Sequence, residues 1–229
     1  MRSMKFLNLM TLFLIVLFAE SSAQSRYIYK VKYGFLTAGS ARLEFNTVSD
    51  TLLSRFSIKS SPWLSRLWKL NDSIESSYDL SSERLISHHK RIREGKYHRE
   101  YNAVFSWEDS LVTVNTKPMA LVFPNLLDIP SLLHRLRQVE LTVGDTLIYH
   151  LFDGQGTGRL SLLIQKMESV EVNNRKVSTF VMIPLERNQK ADENDLSLSI
   201  WLSANAPHDP VRLAIETRYG SAIMTLEGN

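Results

Sequence analysis

The sequence predicts a mostly β protein, a curved antiparallel sheet or incomplete β-barrel with one or two short helices. Three observations lead there. Apolar and polar residues alternate at a period of two over most of the chain, short polar or glycine-bearing turns interrupt the alternation, and only two segments show helical spacing. Tyr27, Tyr29, Val31 and Tyr33 alternate with Ile28, Lys30 and Lys32, and Ala41, Leu43 and Phe45 resume the pattern, so two strands are joined through "GFLTAG". Further strands are expected over Leu52 to Ser60, Asp72 to Asp79, Leu85 to Arg93, Tyr97 to Trp107, Leu111 to Thr116, Asp145 to Phe152, Arg159 to Met167, Lys176 to Pro184, Leu196 to Ser203, Val211 to Arg218 and Ala222 to Glu227. Many short strands with short connections belong to an antiparallel fold.

Two segments depart from that period. In "DIPSLLHRLRQVE", Asp128 is placed to cap, Pro130 suits a first turn, and Ile129, Leu132, Leu133 and Leu136 recur at i, i+3, i+4, i+7. This predicts a helix of about three turns with Arg135 and Arg137 on its outer face. In "SPWLSRLWKL", Ser61 and Pro62 open a shorter helix that gathers Trp63, Leu64, Leu67 and Trp68 on one side. A concave sheet with a helix in its mouth accommodates both.

The first residues stand apart. Arg2 and Lys5 precede an apolar run from Phe6 to Ala19, and Ser21, Ser22 and Ala23 follow it, which are the three regions of a secretory signal peptide. The chain therefore divides into a signal peptide over 1–23 and a single β domain over 24–229, periplasmic or secreted after cleavage near Ala23. Losing Arg2, Lys5 and Glu20 from 27 basic and 24 acidic residues leaves 25 and 23, a net charge of about +2. So small a surplus is no nucleic-acid signature. Cysteine is absent, which excludes disulfides and thiolate metal sites and leaves core burial to stabilise the fold.

Several motifs invite a chemical reading. His208 and Asp209 lie between Pro207 and Pro210 in "WLSANAPHDPVRL"; the prolines favour extended backbone, which sends neighbouring side chains to opposite faces, so the pair is expected to be a corner rather than a catalytic couple. "DGQGTG", with Gly154, Gly156 and Gly158, runs into strand-like residues instead of a helix, and is expected to be a hairpin connection rather than a phosphate loop. In "HHKRIREGKYHRE", a turn at Gly95 would set Ile86, His88, Lys90, Ile92, Tyr97, Arg99, Tyr101, Ala103, Phe105 and Trp107 on one face and His89, Arg91 and His98 on the other. His89 and His98 are then too far apart to share a metal ion. "DENDLS", Asp192 to Ser197, lacks the spaced ligands and glycine of a calcium loop and is expected to be a polar turn. No catalytic residue, metal ligand or cofactor is assigned, and the chain is expected not to be an enzyme.

Three stretches, "YIYKVKYGFLTAGSARLEF", "DIPSLLHRLRQVELTVGD" and "IWLSANAPHDPVRLAIETRYGSAIMTLEG", resemble in this order the bacterial exported proteins grouped as domain-of-unknown-function family 3108. The resemblance runs from about Tyr27 to Gly228 and rests on Gly39, on Asp128 and Ser131, on Gly144 before a strand, and on the Trp-Leu-Ser strand leading to Pro210 and Val211. It departs at Asn205, where such proteins more often carry aspartate. It implies a periplasmic or outer-envelope setting and an architecture similar to half-barrel periplasmic lipoprotein carriers; likeness of shape confers no function.

The expected function is a non-enzymatic periplasmic module that holds an apolar or amphipathic, lipid-like ligand between the concave face and the helices, through Trp63, Leu67, Trp68, Tyr97, Tyr101 and Phe105. A lipid or lipoprotein acyl chain is the expected partner, alongside other envelope proteins. The alternative is a structural or assembly protein of the envelope, in which the same aromatics fill a solid core. A cavity of a few hundred cubic ångströms would favour the first and a filled interior the second.

Overall fold

The alternation read from the sequence becomes fourteen strands of one antiparallel sheet in the computed structural model, which describes residues 23–185, 197–217 and 220–228. The strands are β1 (Ala23–Tyr33), β2 (Leu36–Val48), β3 (Thr51–Ser60), β4 (Asn71–Asp79), β5 (Arg84–Glu94), β6 (Tyr97–Ser106), β7 (Leu111–Val114), β8 (Lys117–Ala120), β9 (Thr146–Phe152), β10 (Thr157–Val172), β11 (Arg175–Pro184), β12 (Ser197–Ser203), β13 (Pro210–Thr217) and β14 (Gly220–Gly228). The expected signal segment, apart from Ala23, and the "DENDLS" turn, apart from Ser197, lie outside the described residues.

Strand order is β8-β7-β6-β5-β4-β3-β2-β1-β14-β13-β12-β11-β10-β9. Among the described residues, two sequential meanders, β1 to β8 and β9 to β14, are joined as one sheet where β1 pairs with β14, from Ile28 opposite Gly228 to Tyr33 opposite Ala222. The sheet curls but does not close: β8 and β9 are its edges. Between them runs the segment 121–128, which pairs Leu127 with Leu151 in a parallel bridge and stacks Phe123 on His150. Pro118 sits in the short edge strand β8, where a missing N–H is harmless.

Curvature comes from bulges, which increase local twist. The extra residues are Ala38 in β2, Ile86 in β5, Gln165 in β10, Val211 in β13 and Glu227 in β14. The inward residues of both meanders, among them Tyr29, Leu43, Phe45, Leu52, Leu85, Phe152, Leu162, Ile164 and Ile200, form one core with Leu132, Leu133 and Leu136 of the helix α1 (Ile129–Leu136). Each such leucine stabilises by about 1.5–3 kcal/mol on burial. α1 is the plug: Pro130, Ser131, Leu132, Leu133, His134 and Leu136 are all buried, and it packs on β3 and β4.

The structure corrects several expectations. α1 has eight residues, about two turns, because Arg137 already serves as its C-cap. Arg137 does not point outward; its side chain is 11% exposed and lies against the Tyr27 and Phe45 rings. The second helix shrinks to a single 3-10 turn, Leu64–Arg66, without a side-chain cap and without a buried residue, so nothing holds a longer helix in place. β8 was not foreseen, and β10 is far longer than the Arg159 to Met167 expected, since its first half pairs with β9 and its second with β11. Ile86 is 42% exposed rather than inward, because the register shift opposite Ser77 and Tyr78 turns both Leu85 and His88 to the core.

Gly39 is required by a close approach. A Cβ there would lie 2.0 Å from the Lys59 carbonyl oxygen and 3.1 Å from Cα of Ser60. Backbone on an adjacent strand cannot withdraw without breaking the ladder between β2 and β3. Gly39→Ala is therefore expected to cost about 1–3 kcal/mol, the usual range for overpacking. At roughly 2–4 °C per kcal/mol for a domain of this size, thermal unfolding followed by circular dichroism should show a midpoint at least ~2 °C lower.

Candidate functional site

The polar chemistry inside the barrel converges on Asp128. As the N-cap of α1 its Oδ1 accepts from the Ser131 amide at 3.0 Å and the Ser131 hydroxyl at 2.7 Å, while Oδ2 lies 2.9 Å from His88 Nδ1. The His88 ring meets the Phe152 edge, and Phe152 meets Phe105. Burial by itself would raise the Asp128 pKa; the hydrogen bond and charge of His88 and the two Ser131 donors outweigh it and hold the carboxyl below its ordinary range. Aspartate, histidine and serine here do not form a nucleophilic set. The serine donates to the carboxylate instead of to the imidazole, and all three residues are at most 2% exposed. His88 Nε2 is buried without a partner, and a Cβ on Gly154 would stand 3.3 Å from it. Gly154 has a φ of +99° in the turn between β9 and β10, so "DGQGTG" is a hairpin connection whose tip seats on β5 and β6.

The other end of α1 is fastened by the corner that holds His208 and Asp209. The two side chains diverge, as the prolines require. His208 Nδ1 donates to the Ser203 carbonyl at 2.8 Å, whereas Asp209 Oδ1 accepts from the Tyr27 hydroxyl at 2.5 Å and pairs with Arg137 at 3.4 Å. The His208 amide also donates to the Arg137 carbonyl. Corner, strand β1 and helix C-terminus are thereby one polar joint.

The six residues expected to bind a ligand separate into two groups. Phe105 belongs to the core, stacked on Trp107 and set edge-on to Phe152. Tyr101 is half-buried beside Gly154. The other four stand at one end of the sheet with large exposed fractions: Trp63 48%, Leu67 81%, Trp68 54% and Tyr97 48%. The Ser61 amide donates to Ala38 and the Gly95 amide to Lys69, which ties the connection 61–70 to β2 on one side and to the hairpin turn of β5 and β6 on the other. The Trp68 ring lies over Gly95, and Arg99 lies over the Tyr97 ring. Tyr33, Phe35 and Leu36, at the turn between β1 and β2, extend this rim, with Phe35 92% exposed. Leu132, Leu133 and Leu136 of α1 are buried together with the inward residues of the sheet in one core.

Two open grooves lie elsewhere. One, of about 500 Å³, crosses the outer face of β2 to β5 and is polar, lined by Glu44, Asn46, Arg55, Glu75, Ser77 and His89. Polar pairs follow one another across this face, on successive strands: Arg26 with Glu44, Arg55 with Glu75, and His89 hydrogen-bonded to Glu100. The second, of about 490 Å³, includes Val177, Ser203, Asp209, Val211 and Leu226. Neither is lined by any of the six expected ligand residues. Among the described residues no cluster of histidine, aspartate and glutamate is placed to hold a metal ion.

Sequence reasoning missed the His88 and Asp128 pair and the Tyr33 to Leu36 tip. A signal existed for each. His88 falls on the inward face of an alternating strand, where a buried imidazole needs a partner, and "YGFL" puts bulky apolar residues where a turn is ordinarily polar.

A curled, unclosed antiparallel sheet plugged by one helix defines a β-barrel-like domain. The chain belongs to the protein family of unknown function DUF3108, which it matches over residues 28–227. Among solved structures it is similar to the crystal structure of a β-barrel-like protein of domain of unknown function DUF1849 from Brucella abortus, at 11% identity and a TM-score of 0.60, covering 88% of this chain and 94% of that one. At that identity the likeness is one of fold alone. A search of curated proteins finds no match.

Two stability measurements test the interior. Asp128→Ala removes the cap and leaves the His88 imidazole without its partner, so it is expected to cost about 3–5 kcal/mol, the range for breaking a buried pair. The pH dependence follows from His134, whose pKa burial and then the charges of Arg137 and Arg135 depress from 6.5 to about 4. Between those values the unfolded chain binds a proton that the folded chain refuses, so stability should decline as pH falls from 6.5 towards 4. Thermal midpoints across that window are expected to drop, and His134→Leu should flatten the decline.

Proposed function

We propose that this domain is a non-enzymatic module of the bacterial envelope that engages an apolar or amphipathic, lipid-like ligand at its rim rather than in its interior. The observation that carries the reading is the exposure of Trp63, Leu67, Trp68 and Tyr97 on neighbouring connections of one sheet end. Large aromatics left in water over adjoining loops mark an interaction surface, since an ordinary loop tip gains nothing from them. The connection 61–70 is anchored by backbone hydrogen bonds at both sides, so these side chains are presented on a fixed frame.

A second reading, a structural or assembly protein of the envelope, is favoured by the packing of α1 into one core with the sheet. Replacing Trp63 and Trp68 together by alanine separates the two. Because both are about half exposed, the double variant should unfold close to the wild-type temperature, unlike the loss of about 3–5 kcal/mol per site for a core aromatic. Its affinity for a fluorescent fatty-acid probe should fall at least about tenfold, or ~1.4 kcal/mol. Failure of the wild type to bind the probe would leave the assembly reading in its place.

A further inference from the structure

We infer that the rim is an interfacial docking surface for an anionic lipid bilayer. The inference rests on the reading of the rim as a lipid-like ligand site and commits that ligand to a membrane surface. Three successive hairpin ends, those of β1 and β2, β3 and β4, and β5 and β6, lie side by side at the same end of the sheet. At about 4.8 Å between strands, six strands spread these ends over roughly 24 Å, broad for a single acyl chain and suited to a flat surface. Each carries an exposed apolar group: Phe35 and Leu36 on the first, Trp63, Leu67 and Trp68 on the second, Tyr97 on the third.

The charges around them have one prevailing sign. Lys32, Lys59, Arg66, Lys69, Lys96 and Arg99 are all exposed on these ends, and none of the described ion pairs takes them up. The acids among them, Asp72 and Glu94, are half-buried, and Asp72 is engaged by the Arg93 amide. With a mature net charge of about +2, this concentration is local rather than a property of the whole chain. Apolar tips that enter the headgroup region, tryptophan and tyrosine at its level and cations facing phosphates are the arrangement by which peripheral proteins hold an anionic leaflet. Phe35 is the discriminating residue. It lies outside the six residues expected to hold a ligand, and at 92% exposure it contacts almost nothing in the folded chain.

The test is flotation of the mature protein with phosphatidylcholine vesicles that contain about 30% phosphatidylglycerol, alongside pure phosphatidylcholine vesicles. The wild type should float with the anionic vesicles at about 0.05 M salt, with a blue shift of tryptophan emission, and at least about tenfold less with neutral vesicles or at about 0.5 M salt. Phe35→Ser and the pair Lys69→Glu with Lys96→Glu should each lower anionic-vesicle binding at least about tenfold at an unchanged thermal midpoint, since every changed side chain is exposed. Phe35→Ser should leave affinity for the monomeric fatty-acid probe unaltered. A wild type that binds the probe but never floats overturns the bilayer inference and leaves the ligand reading standing. Binding to neither overturns both. A concentration-dependent dimer that Phe35→Ser abolishes, without flotation, assigns the rim to a second copy instead and likewise overturns the inference.

Discussion

A sheet of fourteen strands that curls without closing encloses a volume its own side chains do not fill, and the structure depends on how that volume is occupied. α1 supplies the missing apolar mass through Leu132, Leu133 and Leu136, but a helix brought inside also brings unsatisfied backbone donors at its N-terminus. Asp128 resolves the conflict. It satisfies the Ser131 amide, and its own charge, which would be costly in an apolar interior, is met by His88 from β5 and by the Ser131 hydroxyl. One carboxylate thus fixes where the helix begins, which strand it faces and how deep it sits. At the far end Arg137 and Asp209 do the same for its exit.

This arrangement also places polar side chains in the interior of the curl, beside α1. Inside the curl α1 shares one core with the sheet, and His88 Nδ1 and the Ser131 hydroxyl both bond to Asp128. The large exposed aromatic side chains Trp63, Trp68 and Tyr97 lie on loop ends, where side chains need not pack. The connections of the rim are hydrogen-bonded to β2 and to the turn of β5 and β6, elements of the sheet whose inward face forms the core.

Much of this was legible in the sequence, and the exceptions share a cause. Period-two alternation located nearly every strand, and turn chemistry placed Gly95 and Lys96 correctly between β5 and β6, which set the observed pairing of Lys90 with Tyr101. The divergence of His208 and Asp209 followed from two prolines. What failed depended on partners distant in the chain. Phe105 and Tyr97 share a strand face, yet one is core and the other rim, because only the first lies under Phe152. Arg137 was assigned to solvent by helical spacing, but the aromatic rings of Tyr27 and Phe45 and the carboxylate of Asp209, some 70 residues away, draw it inward. The bulge that turns Leu85 inward and Ile86 outward has no mark in local sequence, since it arises from pairing with β4.

The order of the strands gives the molecule the topology of a clasp. Each meander is made of neighbours in sequence, and sheet hydrogen bonds join the two halves at a single line, β1 against β14. That line is the hinge; the segment 121–128 against β9 and the Gly154 tip on β5 and β6 are the catch. Partial opening would therefore swing one meander about β1 and β14 and free α1 from the side, with every local hairpin intact. Closing it again requires Tyr29 to find Leu226 across almost the whole domain, a contact whose loop-closure entropy no short-range pairing can prepay, so folding is expected to end at the hinge rather than begin there.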